Sequence, residues 1–256
     1  MPWKHPNSPS TEPISVSEIS YYYDRTSESY DARYYRFVAL TDDQHLRLLN
    51  SLVFDGKALE VGVGSGRLLS RLEGARLAIG LDVSHQMLLI THRRGQPCIR
   101  ANTAAPLPFP DETFDLVYSF KVLSHVPYIE SVLRELVRVT KPGGHLVLEF
   151  YNRHSLKYLL SQKLKDSLRL KPIYTRYDSV DEIRNYVPEN VSVYTIGGYG
   201  ILQPLFLLWE IPGIGWLMCQ VENVLKRTCL QRWGGFIVLH MCKEPPDKGA
   251  HNAHQD

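Results

Sequence analysis

Cysteine is scarce in this chain of 256 residues: Cys98, Cys219, Cys229 and Cys242 lie far apart and form no CxxC pair. Neither a zinc knuckle nor a dense disulfide framework is indicated, and a reducing, cytoplasmic setting is the default expectation. No charge of one sign dominates. Twenty-nine Lys plus Arg against 27 Asp plus Glu leave a formal charge of +2, too balanced for nucleic acid to be the main partner. The N-terminal MPWKHPNSPSTEP lacks the apolar core of a signal peptide. Residues 196–221 approach the length of a transmembrane span, but Gln203, Pro204, Glu210, Pro212 and several glycines interrupt them, each costly in a lipid-exposed helix. No span is expected there; the segment reads as a pair of apolar helices covering a pocket, or as a lid in loose, peripheral contact with a membrane. Internal repeats and low-complexity blocks are absent.

What is present suits a folded chain. Hydrophobic residues make up 44% and charged residues 22%, near the averages for a globular protein of one α/β domain with an elaboration. Residues 1–16 and 244–256 read as flexible tails flanking a single domain over 17–243. In the second tail His251 and His254 have a spacing that would clip a metal on a helix, but Pro, Gly and Asn nearby argue against a helix, so no metal is expected.

The central portion alternates strands and helices. Residues 57–61 (KALEV), 77–82 (LAIGLD), 98–101 and 113–119 (TFDLVYS) read as strands, and 145–150 (HLVLEF) as a fifth. A helix is expected to begin at 67–72, a second to be capped by Ser84, and 128–139 to be amphipathic with Ile129, Val132, Leu133, Leu136 and Val137 on one stripe. Lys141-Pro142-Gly143-Gly144 ends that helix. Repeated β-α-β with short connections implies a doubly wound parallel sheet with helices on both faces. A tyrosine-rich segment (21–37) and a helix over 42–53 precede it, forming an N-terminal helical lid over 17–53 before a core over 54–151. The elaboration over 152–243 holds a polar helical region (156–170), a helix at 179–186, strands at 191–196 and 235–241, and a helical insertion before the last strand. That insertion carries far more apolar surface, including Tyr199, Leu205, Trp209, Ile211, Trp216 and Met218, than a short connection buries.

The informative motif is Glu60-Val61-Gly62-Val63-Gly64-Ser65-Gly66, at a strand's carboxyl end. In doubly wound sheets a nucleotide-like ligand meets backbone N–H groups here, because glycines remove the Cβ atoms that block close approach. Dinucleotide folds use GxGxxG, whereas this third glycine comes one residue early and Arg67 takes the place of the last dinucleotide glycine. Glu60 beside the turn would repel a pyrophosphate and attract an ammonium or sulfonium group. Both features favour a cationic adenosine cofactor. Asp82, at the end of the second strand, is the acid expected to accept hydrogen bonds from the two ribose hydroxyls, its simpler role being to support the helix start at Ser84.

With these residues in place the chain resembles the class I S-adenosylmethionine-dependent methyltransferases, in particular the methyltransferase type 11-like subgroup acting on small molecules and lipid-quinone-like substrates. ALEVGVGSGRLL is similar to the family's first motif, GLDVSHQML to its second, RANTAAPLPFPDETFDLVYSFKVLSHV to the stretch through the fourth strand, and LRELVRVTKPGGHLVLEF to the helix, turn and fifth strand that close the core. The resemblance implies a Rossmann-like, seven-stranded, mostly parallel sheet and S-adenosyl-L-methionine as cofactor. It places Glu60, Gly62, Gly64 and Gly66 along the methionine and ribose, Asp82 on the ribose, Val83 and Met87 against the adenine, and Asn102 and Thr103 beside its amino group, where the family more often has an aspartate than Asn102. Phe120 and Lys121 would meet the methionyl part, and Tyr22, Tyr23 and Tyr30 would belong to a cap over the cofactor.

Methyl transfer from a sulfonium is an in-line displacement, so positioning dominates. His125, just beyond the fourth strand, is the best-placed general base, its structural alternative being a hydrogen bond to loop backbone. Glu149 in a buried strand would bind a polar group or pair with Arg153. Asp111 and Asp115 suit turn capping, and Arg138 and Lys141 suit a solvated surface. The expected acceptor is a small, bulky or apolar organic molecule methylated on oxygen, nitrogen or carbon, with some of the insertion lining its pocket. The alternatives are a catalytically silent cofactor-binding subunit acting through its apolar insertion, and a nicotinamide-dependent oxidoreductase, which the glycine spacing and Glu60 oppose. A nucleic-acid substrate is disfavoured further because no Asn-Pro-Pro-aromatic motif follows the fourth strand.

Overall fold

The computed structural model describes residues 16–33, 36–52, 54–160 and 174–245. Of the expected tails over 1–16 and 244–256, residues 1–15 and 246–256, with His251 and His254, lie outside the described residues, as do Val53 and the 161–170 part of the expected polar helix; Val16 already belongs to a helix, and Glu244 N–H donates to Asn190 O at 2.9 Å.

Seven strands form one sheet: β1 (Gly56–Val61), β2 (Ala75–Asp82), β3 (Cys98–Arg100), β4 (Phe114–Ser119), β5 (Thr140–Tyr151), β6 (Val191–Tyr199) and β7 (Phe236–Lys243). Their order is β3-β2-β1-β4-β5-β7-β6, with every neighbouring pair parallel except those made by β7. The expected α/β sheet is therefore what forms. From β1 the chain steps outward through β2 and β3, then returns to place β4 on the other side of β1. Connections diverge between β1 and β4, and a crevice opens at their carboxyl ends.

Both faces are covered. Successive strand residues point to opposite sides, so Leu59, Val61, Val117, Leu146 and Leu148 pack with α4 (Ile129–Val139), whose buried stripe is the one its spacing predicts. Ala58, Leu116, Tyr118 and Val147 face the other way, onto Leu46 and Leu49 of α2 (Arg36–Ser51). The same parity turns Glu60 and Glu149 toward α2, whose buried face carries Thr41, Asp42 and His45 among its apolar residues. Of these helix residues Asp42 reaches the crevice, where it joins Glu60 and Asp82.

Three local expectations change. The helix expected at 67–72 is a single 3-10 turn over Leu69–Arg71, because β2 already begins at Ala75 and leaves no length for more. The Lys141–Gly144 turn lies inside β5: Phe114 pairs with Thr140 and Leu116 with His145, so the extra residues bulge out, with Gly143 at φ 76°. And α2 starts at Arg36, ahead of the expected residue 42.

Around the core, α1 (Val16–Tyr30) and α3 (His85–Arg93) pack together, α3 being capped as expected by Ser84, whose hydroxyl accepts from Met87 N–H at 3.2 Å. Beyond β5, α5 (Val180–Tyr186) begins on a reciprocal Ser179–Glu182 capping box. The insertion folds into α6 (Phe206–Trp209) and α7 (Ile214–Leu225). Tyr199, Trp209 and Met218 are buried against Phe37, Leu46 and Phe236, so this part of its apolar surface packs the added helices onto the sheet. No helix among the described residues is long and apolar enough to cross a membrane.

Candidate active site

A cleft occupies the crevice at the carboxyl ends of β1, β2 and β4. The glycine turn forms its floor. Gly62 N–H and Val63 N–H both donate to Leu81 O, at 2.7 and 3.0 Å, and Thr91 Oγ1 donates to Gly64 O at 2.8 Å, which ties the turn to β2 and α3. Gly62 has φ 77°, and a Cβ on it would lie 2.1 Å from Val122 Cγ2, so no other residue fits. A Cβ on Gly64 would meet nothing within 4 Å: its backbone faces open cleft.

Three acids surround this floor, Glu60 and Asp42 buried and Asp82 partly buried. Asp82 accepts from Gly64 N–H and Ser84 N–H, each at 2.9 Å, and burial nevertheless raises its pKa above the ordinary value. It thus supports the helix start and still presents free lone pairs to the cleft it lines. Glu60 accepts from Tyr118 OH at 3.1 Å; burial, with Asp42 and Asp82 adding repulsion, pushes its pKa up to about 8. Asp42 on α2 is met by Arg67 Nε at 3.1 Å and Lys121 Nζ at 3.4 Å.

The lid is strapped across the opening by side chains. Asp24 of α1 accepts from Ser84 Oγ at 2.6 Å and Gln86 N–H at 3.1 Å, while Asp31 accepts from Ser65 Oγ at 2.7 Å and Arg67 Nη1 at 3.2 Å. Tyr23 and Tyr30 line the cleft beneath it, their phenols kept neutral by burial.

Of the residues expected from the sequence, Tyr30, Glu60, Gly62, Gly64, Asp82, Val83, Met87, Asn102, Thr103, Phe120 and His125 all line this one cleft. Two do not. Tyr22 projects to solvent, because one step of about 100° along a helix separates it from Tyr23, which lines the cleft instead. Gly66 lies under the turn, where a Cβ would come within 3.0 Å of the Thr91 side chain, so its part is close packing against α3. Asn102 turns its Oδ1 to Ala104 N–H at 2.9 Å.

His125 Nδ1 lies 2.8 Å from Tyr174 O. A carbonyl only accepts, so Nδ1 is the protonated nitrogen and Nε2 keeps its lone pair. Burial, reinforced by Lys157 and Arg176, holds its pKa below the ordinary value against the opposing Tyr174 bond, and the ring is a neutral imidazole at pH 7.

Sequence reasoning missed Asp42 and His45. Glu149 does not pair with Arg153, which binds Glu182 instead. It faces α2, where Tyr199 OH donates to it and His45 Nε2 lies 3.1 Å away. Burial opposes its ionisation, but His45, Lys121 and Tyr199 outweigh burial and hold the carboxyl below its usual range. Its second oxygen accepts from Lys121 N–H at 3.1 Å, fixing Lys121 at φ 63°, a left-handed conformation that costs energy in a lysine. The signal that would have found them is three polar residues, 41, 42 and 45, on the face of a helix that also carries Phe37, Leu46 and Leu49. Arg138 is likewise no solvated surface group: it binds Asp111 at 2.7 Å and Glu135 at 2.8 Å, and Lys141 holds Asp115 at 2.9 Å. The insertion residues named above contribute none of the cleft's walls.

Residues 59–148 match the family described as Methyltransferase domain. The chain is 40% identical over 101 residues to a phosphatidylethanolamine N-methyltransferase of Cereibacter sphaeroides, an alignment covering 36% of this chain and 49% of that one. It is 31% identical over 141 residues to a demethylmenaquinone methyltransferase of Tropheryma whipplei, covering 52% and 59%. The chain spans between 49% and 62% of the length of the first three curated relatives it matches. Among solved structures, a SAM-dependent methyltransferase of Thermotoga maritima superposes with a TM-score of 0.63 at 20% identity, over 88% of this chain and 100% of that one, a likeness of fold.

Proposed function

We propose that the chain is a class I S-adenosylmethionine-dependent methyltransferase, in keeping with the methyltransferase-domain match over residues 59–148, that it binds S-adenosyl-L-methionine in the cleft above Gly62–Gly66 and that it transfers the methyl group to an oxygen, nitrogen or carbon of a small, bulky or apolar organic acceptor. The observation that carries this reading is the pairing of an open backbone at Gly64 with the buried Glu60 and the partly buried Asp82 at the same cleft. When bound, the cofactor supplies a methyl on a positively charged sulfur. The residues present suit that group: Asp82 has acceptor capacity for a ribose, Val83 and Met87 offer apolar faces, and Glu60, Asp42 and Asp82 make the floor attractive to a cation.

No covalent intermediate is asked of the protein, whose work is to hold the reactants in a cavity poor in water. His125, bonded to Tyr174 O through Nδ1, would take a proton from the acceptor at Nε2. Val122, Val126 and Pro127 beside it make that end of the cleft apolar. The two curated relatives, named for phosphatidylethanolamine and demethylmenaquinone, are in keeping with an acceptor of lipid-like or quinone-like character.

Calorimetric titration of the full chain tests the cofactor: S-adenosylhomocysteine should bind, and NAD should not. Heat with NAD and none with S-adenosylhomocysteine would overturn the reading. Transfer of labelled methyl from the cofactor into a metabolite extract tests the reaction.

A pH dependence follows from Glu60. Its folded pKa, about 8, lies above its ordinary value of 4.5, so the stability it contributes is present below 4.5 and is lost as the pH rises to 8. A cation bound beside it requires the ionised form. Cofactor affinity should therefore fall about tenfold for each pH unit below 8, with a proton released on binding. Titrations in buffers of different ionisation enthalpy count that proton, and Glu60→Gln should abolish its release and flatten the profile.

A further inference from the structure

Helix α7 carries apolar residues on two of its sides. Its inner side is fixed to the fold: Met218 is buried, a Cβ on Gly215 would lie 2.1 Å from Trp209 O, and the buried Glu222 carboxylate accepts from Gly200, Ile201 and Leu202 N–H at 2.7, 3.1 and 3.0 Å. Its outer side, Ile214, Leu217, Val221 and Val224 at steps of three and four residues, is exposed, with Val224 at 63%. Trp216 of the same helix is also 63% exposed, and Trp233, in the 3-10 turn before β7, is 48% exposed. Of the eighteen exposed large apolar side chains among the described residues, nine come from residues 205–233, so this is a patch and not a scatter.

The charge around the patch has one sign. From residue 211 to residue 235 the ionisable carboxylates amount to Glu222, which is buried and spent on backbone N–H groups. Lys226, Arg227 and Arg232 are the lysine and arginines of the same stretch, at the carboxyl end of α7 and in the turn after it. Arg47 of α2 adds to them: partial burial, and after it Arg227 and Arg47, lower the Lys226 pKa in spite of Glu222. Glu210, at the other end, is engaged with Arg36 N–H at 2.9 Å.

We infer that the outer side of α7, with Trp216, Trp233 and the basic turn at Lys226, Arg227 and Arg232, docks the chain onto an anionic phospholipid surface. A twelve-residue helix with an aliphatic stripe and cations at one end, together with exposed tryptophans, has the make-up of a helix lying in the headgroup plane, the stripe in the acyl boundary and the cations on lipid phosphates. A second copy fits less well. Antiparallel pairing of two α7 helices would set each basic turn against the Ile214 end of the other, where Glu210 is already bonded, and parallel pairing would set the two basic turns together. The inference stands apart from the cofactor reading, since none of these residues lines the cleft.

Co-sedimentation of the full chain with vesicles of phosphatidylcholine alone, and of phosphatidylcholine mixed with phosphatidylglycerol, tests it. The chain should pellet with the mixed vesicles and lose that binding in high salt. Each of Lys226→Gln, Arg227→Gln and Arg232→Gln should weaken partitioning about fivefold, and the double substitution Leu217→Glu with Val221→Glu should abolish it. Thermal melts establish that the variants fold, their sites being exposed. Three results would each overturn the proposal: no binding of the unaltered chain to anionic vesicles, equal binding by the Leu217→Glu, Val221→Glu chain, or a light-scattering mass of a dimer that this double substitution converts to monomer.

Discussion

Asp82→Ala is expected to lower affinity for S-adenosylhomocysteine by two powers of ten or more. Hydrogen bonds to a charged acceptor contribute about 1.5–3 kcal/mol each, and two ribose hydroxyls would be left without theirs. The substitution also strips Gly64 N–H and Ser84 N–H of the acceptor each has at 2.9 Å, so the glycine turn and the start of α3 lose stability as well. A comparison of ligands separates the two effects. The unaltered chain should prefer S-adenosylhomocysteine to its analogue lacking both ribose hydroxyls; the Asp82→Ala chain should bind the two alike. A variant that kept the full preference would remove the ribose assignment, however much its overall affinity fell.

Turnover should drop by about two to four powers of ten in His125→Gln, the range spanned by general base catalysis, while affinity for S-adenosylhomocysteine stays the same. Glutamine can still donate to Tyr174 O and so keeps the one hydrogen bond the ring makes there. The pH profile is the sharper measurement. Since burial and the neighbouring cations hold the His125 pKa below 6.5, the unaltered chain at saturating cofactor should lose turnover only below that pH, as Nε2 becomes protonated, and the variant should lack that acid limb. The fold changes in the same direction: a histidine kept neutral by burial contributes stability above its unfolded value and loses it as pH falls through the lowered folded value. Melting temperatures of both proteins across this range keep the two limbs apart. Full turnover in His125→Gln would reduce the histidine to a loop fastener.

Legibility in the sequence followed periodicity and local backbone demand. The strands of the core, the stripe on α4, the Ser84 cap and the Gly62–Gly66 turn all answer to residues within a few positions of one another, and each is where the sequence puts it. Cleft residues at strand ends were legible for the same reason: in a doubly wound sheet the residue after a strand's last position is at the crevice whatever the rest does. Failures came where a choice depended on a neighbour distant in the chain. Tyr22 and Tyr23 differ only in which side of α1 meets the cleft; the sequence offers Glu149 a polar group or Arg153, four residues away, and its partners are His45 and Tyr199, distant in the chain.

Taken alone, the order of residues determined the α/β sheet and the crevice at its strand ends, because glycine conformations and alternation are properties of short segments. The tertiary structure decided which polar groups share a space. It brought Asp42 and His45 of a helix onto the ends of β1, β4 and β5, raised the pKa of Glu60 by burying it there, and turned one side of α7 inward and the other to solvent. Burial and proximity are set by how elements pack, and no spacing along a single segment encodes them.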